Sequence, residues 1–263
     1  GNTIPISGMA GDQQAATIGQ ACFKPGMVKS TYGTGCFTLM NTGTERVLSR
    51  NRLLSTVAYR LSGETTYALE GSIFVAGAAV QWLRDGLKLV NNVSEVEALA
   101  RSVNDTNGVY MVPAFVGLGA PWWDAEARGA IYGLTRDTKD AHIVRAALEA
   151  VCYQTHDLIA AMSSDCGTAI ESLRVDGGMV ANDWLLECLA DITGLSVERS
   201  MQSESTALGA AMLAGMQAAI WPNLDVIGEM WSPDARVRPK IRADQRDTLL
   251  EGWRQAIERT LTR

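Results

Sequence analysis

The sequence predicts an α/β fold of the α+β kind, in which a mixed sheet is covered by helices. Short runs rich in β-branched and aromatic residues, separated by glycine turns, fill the first third of the chain, and apolar residues recur at helical spacing after it. Apolar residues make up 47% and charged residues 20% of the 263 residues, which is enough apolar material for a large core. No repeat or linker divides the chain, so one domain is predicted.

The first third contains two predicted pairs of strands. Residues 30–32 and 36–40 form one pair around the tight turn Gly33-Thr34-Gly35, and residues 53–59 and 65–69 form the other. Because each pair is joined by a short glycine turn, we expect an antiparallel meander.

The middle of the chain changes from strand to helix spacing. Residues 72–91 predict a helix, and Ser94 with Glu97 has the spacing of a capping box, which predicts the start of a second helix. Residues 109–112 predict a short strand, and the glycine- and proline-rich residues 113–128 predict a long ordered loop.

The second half is predicted to be mainly helical. A long amphipathic helix starts at Asp140 and is stopped by Gly167, and a strand at 172–176 is followed by Asn182 as the N-cap of a helix over 183–192. The remaining predicted elements are a strand at 195–199 and helices at 207–220 and 243–261.

Charge and composition exclude several classes of protein. The net charge of −6 provides no positive field for nucleic acid, and no apolar run reaches the length of a membrane span, so neither nucleic-acid binding nor membrane insertion is expected. Five widely spaced cysteines without a C-x-x-C pair fit neither a disulfide framework nor a zinc site, and no metal-binding side chains are predicted. A reducing, cytoplasmic location is therefore expected.

Three polar turns flanked by glycine are candidates for chemistry. In Gly33-Thr34-Gly35 and in Asp176-Gly177-Gly178, glycines allow successive N–H groups to face an anion such as phosphate. Taken alone, each segment is more simply explained as an ordinary tight turn, and both interpretations stay open. Asp12, which follows Gly11, is either a turn former or a general base that accepts a proton from an alcohol.

Longer motifs give a resemblance that covers nearly the whole chain. The sequence closely resembles the glycerol kinases, a branch of the FGGY carbohydrate kinases, and residues 129–149 are similar to the second signature of that family. The other matching segments are IPISGMAGDQQA at 4–15, TYGTGCF at 31–37, YALEG at 67–71, QWLRD at 81–85, GLGAPWWD at 117–124, RGAIYGLTR at 128–136, VDGG at 175–178 and TALGAA at 206–211.

The resemblance implies a ribonuclease H-like domain of the actin and hexokinase type. In this family ATP and the polyol meet between two such domains, and residues 1–263 correspond to the C-terminal one. The chain starts without methionine, and residues 3–6 have the pattern of a chain already entering a strand or turn, so we expect a piece of a longer protein. Its implied partner is an N-terminal kinase domain, without which the chain is expected to be inactive; the full-length form is expected to be a homo-oligomer.

The resemblance also implies a role for individual residues, with glycerol as substrate and ATP or ADP and Mg²⁺ as cofactors. Asp12 is the implied catalytic base, Gln13 hydrogen-bonds the polyol, and Phe37 is the apolar wall beside its carbon chain. The implied nucleotide contacts are Thr34 at the phosphates, Gly77 and Gln81 near the ribose and base, and Gly178 and Asn182 around the adenosine.

Two alternatives to glycerol phosphorylation stay open. One is another FGGY sugar kinase, acting on xylulose or gluconate, and the other is a non-catalytic actin-like module that only binds nucleotide. Some relatives carry a Gly-x-Arg stretch that helps to bind fructose 1,6-bisphosphate. The corresponding residues here are Gly1-Asn2-Thr3, without the arginine. This difference argues against inhibition by fructose 1,6-bisphosphate.

Overall fold

A computed structural model describes residues 3–262 of the chain. Gly1, Asn2 and Arg263 lie outside the described residues, and with them most of the Gly1-Asn2-Thr3 stretch. Residues 3–10 have no regular secondary structure. The expectation that residues 3–6 enter a strand is therefore wrong.

The first half contains three helices and six strands, in the part of the chain that the structure describes. In chain order they are α1 (Asp12–Gly19), β1 (Val28–Tyr32), β2 (Cys36–Gly43), β3 (Leu54–Leu61), β4 (Glu64–Ile73), α2 (Gly77–Asp85), α3 (Glu95–Arg101), β5 (Tyr110–Val112) and β6 (Ala130–Tyr132).

Helices predominate in the second half. The elements are α4 (Asp140–Cys166), β7 (Ser172–Asp176), α5 (Asp183–Thr193), β8 (Ser196–Ser200), α6 (Ser205–Gln217), α7 (Leu224–Met230), β9 (Pro233–Val237) and α8 (Ala243–Thr260), with a 3₁₀ turn at Gly178–Ala181 between β7 and α5.

Seven strands form one mixed sheet in the order β3-β4-β2-β1-β7-β8-β9. The four strands of the first third are antiparallel as expected, but they do not form a meander, because β4 pairs with both β2 and β3. Half of the residues of strand β4 are buried and it takes the interior position, whereas β3 is largely exposed and lies at the edge. Strands β1, β7 and β8 run parallel.

The two faces of the sheet carry different side chains. From β1, Ser30 and Tyr32 face helix α4, where the Tyr32 hydroxyl lies 3.0 Å from the Thr155 hydroxyl. Lys29 and Thr31 alternate with them and face the opposite side, where Lys29 contacts α1. The large apolar core forms on the α4 side, and a smaller cluster centred on Ile18 of α1 forms on the other.

Helices α1 and α6 are in contact through their backbones. A Cβ atom on Gly209 would overlap the carbonyl oxygen of Ala15, and a Cβ on Gly19 would overlap that of Ser205. The segment before α1 also packs closely on α6, since a Cβ on Gly8 would lie 2.6 Å from the nitrogen of Ala214.

The helix predicted over 72–91 is wrong at both ends. Strand β4 continues to Ile73, and α2 occupies only Gly77–Asp85 before it ends at Gly86. The capping box predicted at Ser94 is absent, because Ser94 itself has helical dihedral angles and its side chain makes no capping bond.

Four elements were not predicted: α1, β6, α7 and β9. Residues 11–14, where α1 begins, are predicted from the sequence to be a polar turn, and the small side chains of the helix give little amphipathic signal. Local signals were reliable elsewhere. Gly167 ends α4 in a left-handed conformation with φ of 61°, and the Asn182 side chain caps α5 by accepting from the nitrogen of Leu185 at 3.0 Å.

All five cysteines are free thiols. Burial raises the pKa of Cys22 to about 12 and that of Cys36 to about 11. Over residues 3–262, no helix has both the length and the apolar character needed to cross a membrane.

The α1–α6 contact predicts opposite effects for two glycine substitutions. Gly209→Ala should lower the free energy of unfolding by about 1–3 kcal/mol, because the new methyl group forces two helix backbones apart. Gly228→Ala, also inside a helix, is the control: its Cβ would meet Phe23 at 3.6 Å, an ordinary contact, and alanine favours helix over glycine. Urea unfolding measures both, and equal stability of the two variants would contradict the close contact.

Candidate active site

Two glycine turns meet at one edge of the sheet. Because β1 and β7 are parallel neighbours, Gly33-Thr34-Gly35 after β1 and Gly177-Gly178 after β7 leave the sheet side by side. Helix α2 begins against the first turn, where the nitrogen of Gly77 donates to the oxygen of Gly33 at 3.0 Å. The carboxyl edge of a parallel pair is where α/β folds usually bind ligands.

A cavity of about 480 Å³ opens at this edge. Thr34, Gly77, Gln81, Gly178 and Asn182, the five residues expected at the nucleotide, all line it. Its lining also includes apolar side chains, among them Val80, Leu148, Met179 and Leu185. The cavity therefore combines a backbone-rich polar turn with an apolar wall, the usual composition of a small-molecule site.

Two of the glycines are needed because backbones approach each other closely. A Cβ on Gly77 would lie 2.6 Å from the oxygen of Gly33, and Gly177 has φ of 94° and a Cβ there would overlap the backbone of Tyr32. Gly178 differs, since a Cβ there meets nothing within 4 Å. This glycine therefore faces open cavity, and a side chain at 178 would project into space that a ligand can use.

Thr34 and Asn182 have different amounts of free hydrogen-bonding capacity. The Thr34 side chain is exposed and makes no hydrogen bond to residues 3–262, so its hydroxyl is available to a ligand. The Asn182 oxygen is occupied by the cap on α5, which leaves its amide nitrogen as the available donor.

Asp12 lies at the first turn of α1, outside the lining of this cavity. Its Oδ1 accepts from the backbone nitrogen of Gln13 at 2.8 Å, and the Gln13 Nε2 lies 3.4 Å from Oδ2. The Thr206 hydroxyl donates to the carbonyl oxygen of Asp12 at 3.5 Å. This hydrogen bond connects the start of α6 to the start of α1. The Asp12 side chain is exposed, so it can receive a substrate hydroxyl.

Lys29 joins Asp12, Gln13 and Phe37 into one group. Its side chain is fully buried, and Nζ donates one hydrogen bond to the Gln13 Oε1 and another, of 3.4 Å, to the carbonyl oxygen of Phe37. The Phe37 side chain is 41% exposed, and because Phe37 is paired with Thr31 it is an accessible apolar surface on the same face of the sheet as Lys29.

Burial and charge act against each other around Lys29. Burial lowers the pKa of Lys29, and the facing groups Asp176, Cys36, Cys22 and Glu70 partly oppose this effect. Burial also raises the pKa of Glu70, with Lys29 opposing the rise.

Asp176 is a buried carboxylate at the end of β7. Its Oδ1 has no hydrogen-bond partner in the described part of the chain, and the residue lines a second cavity of about 520 Å³. Gly178 lines both cavities, so the two open on either side of the same glycine turn.

Sequence reasoning missed the apolar side chains that line the nucleotide cavity. Val80, Leu148 and Leu185 come from three helices that only the fold brings together, and no local signal marks them as lining residues. Lys29 was also missed, because β1 contains the polar Ser30 and Thr31 as well and its sequence does not mark this lysine as buried.

The comparisons with known proteins start from the sequence. The profile of the C-terminal domain of the FGGY family of carbohydrate kinases matches residues 28–218. The chain belongs to this family. This C-terminal domain is 60% identical to a glycerol kinase of Chelativorans over its full length, while covering 53% of that protein. The chain thus spans about half the length of the curated relatives that it matches.

Solved structures agree on the fold. The domain matches a Plasmodium falciparum glycerol kinase with ADP at a TM-score of 0.93 and 42% identity, over 99% of this chain and 52% of that one. A xylulose kinase from Lactobacillus acidophilus matches at a TM-score of 0.81 and 20% identity, over 93% of this chain and 49% of that one. The fold is the ATPase domain of the actin and hexokinase type.

The buried Lys29 predicts a pH-dependent stability. Its folded pKa is lowered from the usual 10.5, so above the lowered pKa the unfolded chain holds a proton that the folded chain has released, and the free energy of unfolding rises with pH until 10.5 is passed. Unfolding by urea across alkaline pH should show this gain in the native chain relative to Lys29→Met, which lacks the titrating group. Parallel pH profiles of the two proteins would contradict the lowered pKa.

Proposed function

We propose that this domain is the C-terminal half of an ATP-dependent glycerol kinase, which converts glycerol to glycerol 3-phosphate. The observation that carries the proposal is that all five residues expected at the nucleotide line one cavity, while Asp12, Gln13 and Phe37 form a second group linked through Lys29. The similarity to glycerol kinases at about 60% identity supports glycerol over xylulose or gluconate.

In the proposed nucleotide site, the glycine turn at 33–35 receives the phosphates and the apolar wall receives the base. Backbone N–H groups and the exposed Thr34 hydroxyl are donors suited to phosphate oxygens. Gln81 and Asn182 supply polar contacts at the other side of the cavity. A P. falciparum glycerol kinase of the same fold was solved with ADP, which supports a nucleotide here.

In the proposed reaction, Asp12 accepts the proton of a glycerol hydroxyl as that oxygen attacks the γ-phosphorus of ATP. A new O–P bond forms, the bond to the bridging β,γ-oxygen breaks, and ADP leaves. Gln13 keeps its amide nitrogen toward the same carboxylate and toward a hydroxyl bound there, and Phe37 packs against the carbon chain. A general base contributes about 10²–10⁴-fold in rate.

Mg²⁺ fits the donors that the chain offers. Residues 3–262 contain no group of three metal-binding side chains, but Mg²⁺ in kinases is usually held by phosphate oxygens with one or two carboxylates. The unpartnered Oδ1 of Asp176 and the exposed carboxylate of Asp12 are oxygen donors of that kind. The ion would offset negative charge on the phosphates.

The proposal extends to the rest of the enzyme. Residues 1–263 form its C-terminal domain, and an N-terminal kinase domain completes the cleft and excludes water when the two close. A cytoplasmic location is supported by the five free thiols. Homo-oligomerisation of the full-length enzyme stays a prediction.

Removal of the proposed base gives the direct test. Asp12→Asn in the complete enzyme should lower kcat by about 10²–10⁴-fold, because the amide cannot accept the hydroxyl proton. The matched control is Asp225→Asn, which changes another exposed aspartate in the first turn of a helix. A coupled assay of ADP release with glycerol, xylulose and gluconate gives the readout.

The same assay separates the alternatives. Turnover with xylulose or gluconate but not glycerol would favour another sugar kinase, and ATP binding without turnover on any polyol would favour the non-catalytic module. Undiminished glycerol turnover by Asp12→Asn would remove Asp12 from the proposed role.

A second test fills the nucleotide cavity. Gly178→Val should weaken ADP binding to the 263-residue chain at least about tenfold while leaving its thermal stability close to native, because the side chain enters open space. Gly228→Val, on a helix away from the cavity, is the control. Titration calorimetry reports the affinity, and native affinity in Gly178→Val would place the nucleotide elsewhere.

A further inference from the structure

Lys29 is a buried cation held by neutral acceptors. No carboxylate lies within ion-pair distance of its ammonium in the described residues, and its three contacts go to the Gln13 Oε1, to the Thr31 Oγ1 at 3.2 Å and to the carbonyl oxygen of Phe37 at 3.4 Å. An ammonium has three protons to donate, so these three acceptors use its capacity. Burying a charge without a close partner is costly, and an apolar residue of the same length would avoid that cost.

The chemistry of the ammonium determines the orientation of the Gln13 amide. An ammonium only donates, so the amide must turn its oxygen toward Lys29, and its nitrogen then points away. In that orientation Nε2 lies 3.4 Å from the Asp12 Oδ2. The reversed amide would place its N–H group against the ammonium and its oxygen against the carboxylate, which are two repulsive contacts.

The same lysine is also hydrogen-bonded to strand β2, which carries Phe37. Thr31 and Phe37 are directly opposite each other in the antiparallel pair of β1 and β2, and Lys29 is bonded to both. One buried side chain therefore fixes the relative positions of the Gln13 amide and the Phe37 backbone.

We propose that Lys29 is a positioning residue for the polyol: it fixes the Gln13 amide with its N–H group toward Asp12 and the substrate hydroxyl, and it holds the strand of Phe37 beside them. This inference rests on the proposed function, because it assigns the polyol to the space between Asp12, Gln13 and Phe37. Lys29 acts through Gln13 and does not touch the substrate.

The kinetic test separates positioning from a general loss of structure. In the complete enzyme, Lys29→Met should raise the KM for glycerol about tenfold and leave the KM for ATP unchanged, because the nucleotide cavity does not include Lys29. Lys29→Arg, which keeps the charge and the donors, should recover part of the loss. Lys24→Met, a change at an exposed lysine, is the control and should match native kinetics.

The orientation itself can be observed in the 263-residue chain without catalysis. The side-chain amide of Gln13, assigned in ¹⁵N-glutamine NMR spectra by its loss in Gln13→Leu, should show slowed proton exchange in the native chain. In Lys29→Met its two protons should move toward the shifts of a freely rotating amide, and in Lys24→Met they should stay at native values.

Each outcome has a separate meaning. Unchanged amide signals in a folded Lys29→Met overturn the positioning role, as does a native KM for glycerol. If Lys29→Met does not fold, Gln13→Leu serves instead, since Gln13 is only partly buried: faster exchange of the Lys29 ammonium protons supports the contact, and native exchange overturns it. Altered amide signals in a kinase that rejects glycerol would refute the proposed substrate and leave the orientation by Lys29 intact.

Discussion

The candidate site depends on one pairing in the sheet. Strands β1 and β7 are neighbours and run parallel, with Thr31 opposite Asp176, so both end at the same level. A glycine turn follows each strand, and the turns come together only because of this register. A slip of one residue would move Lys29 and Thr31 to the opposite face of the sheet and separate the turns. The parallel pair therefore determines both the cavity and the group around Asp12.

The two faces of β1 have different roles: one packs in the apolar core, and the other carries the polar group of the candidate site. The α4 face carries the large apolar core, with Tyr32 fully buried against Thr155. The α1 face carries Lys29, whose buried charge is costly in the same strand that is most central to the sheet. The strand tolerates this cost because its other face contributes the apolar burial that the fold requires. Polar function is thus concentrated on the face where α1 brings Gln13.

Local signals in the sequence predicted local structure well and long-range structure poorly. Gly167 and Asn182 end and begin helices by their own conformations and side chains, so both were predictable. The predicted helix wrongly includes residues 72 and 73, which belong to β4 because they pair with β2, and residues 74–76, which form an irregular connection before α2. The resemblance supplied the five lining residues, whereas Leu148 of the wall depends on how α4 crosses the sheet. The sequence identified Asp12 as a candidate site residue, but it did not predict that Asp12 begins a helix.

Because α1 and α6 touch through main-chain atoms at Gly19 and Gly209, no side chain separates them. Rotamer changes on the solvent-facing side of α6 therefore do not alter the spacing of the two helices at these glycines, although the Thr206 side chain of α6 does contact the start of α1 through the Asp12 carbonyl oxygen. Apart from Thr206, the exposed surface of α6 is accordingly free to drift during evolution, or to receive labels and affinity tags in engineering, without changing the distance between the two helices.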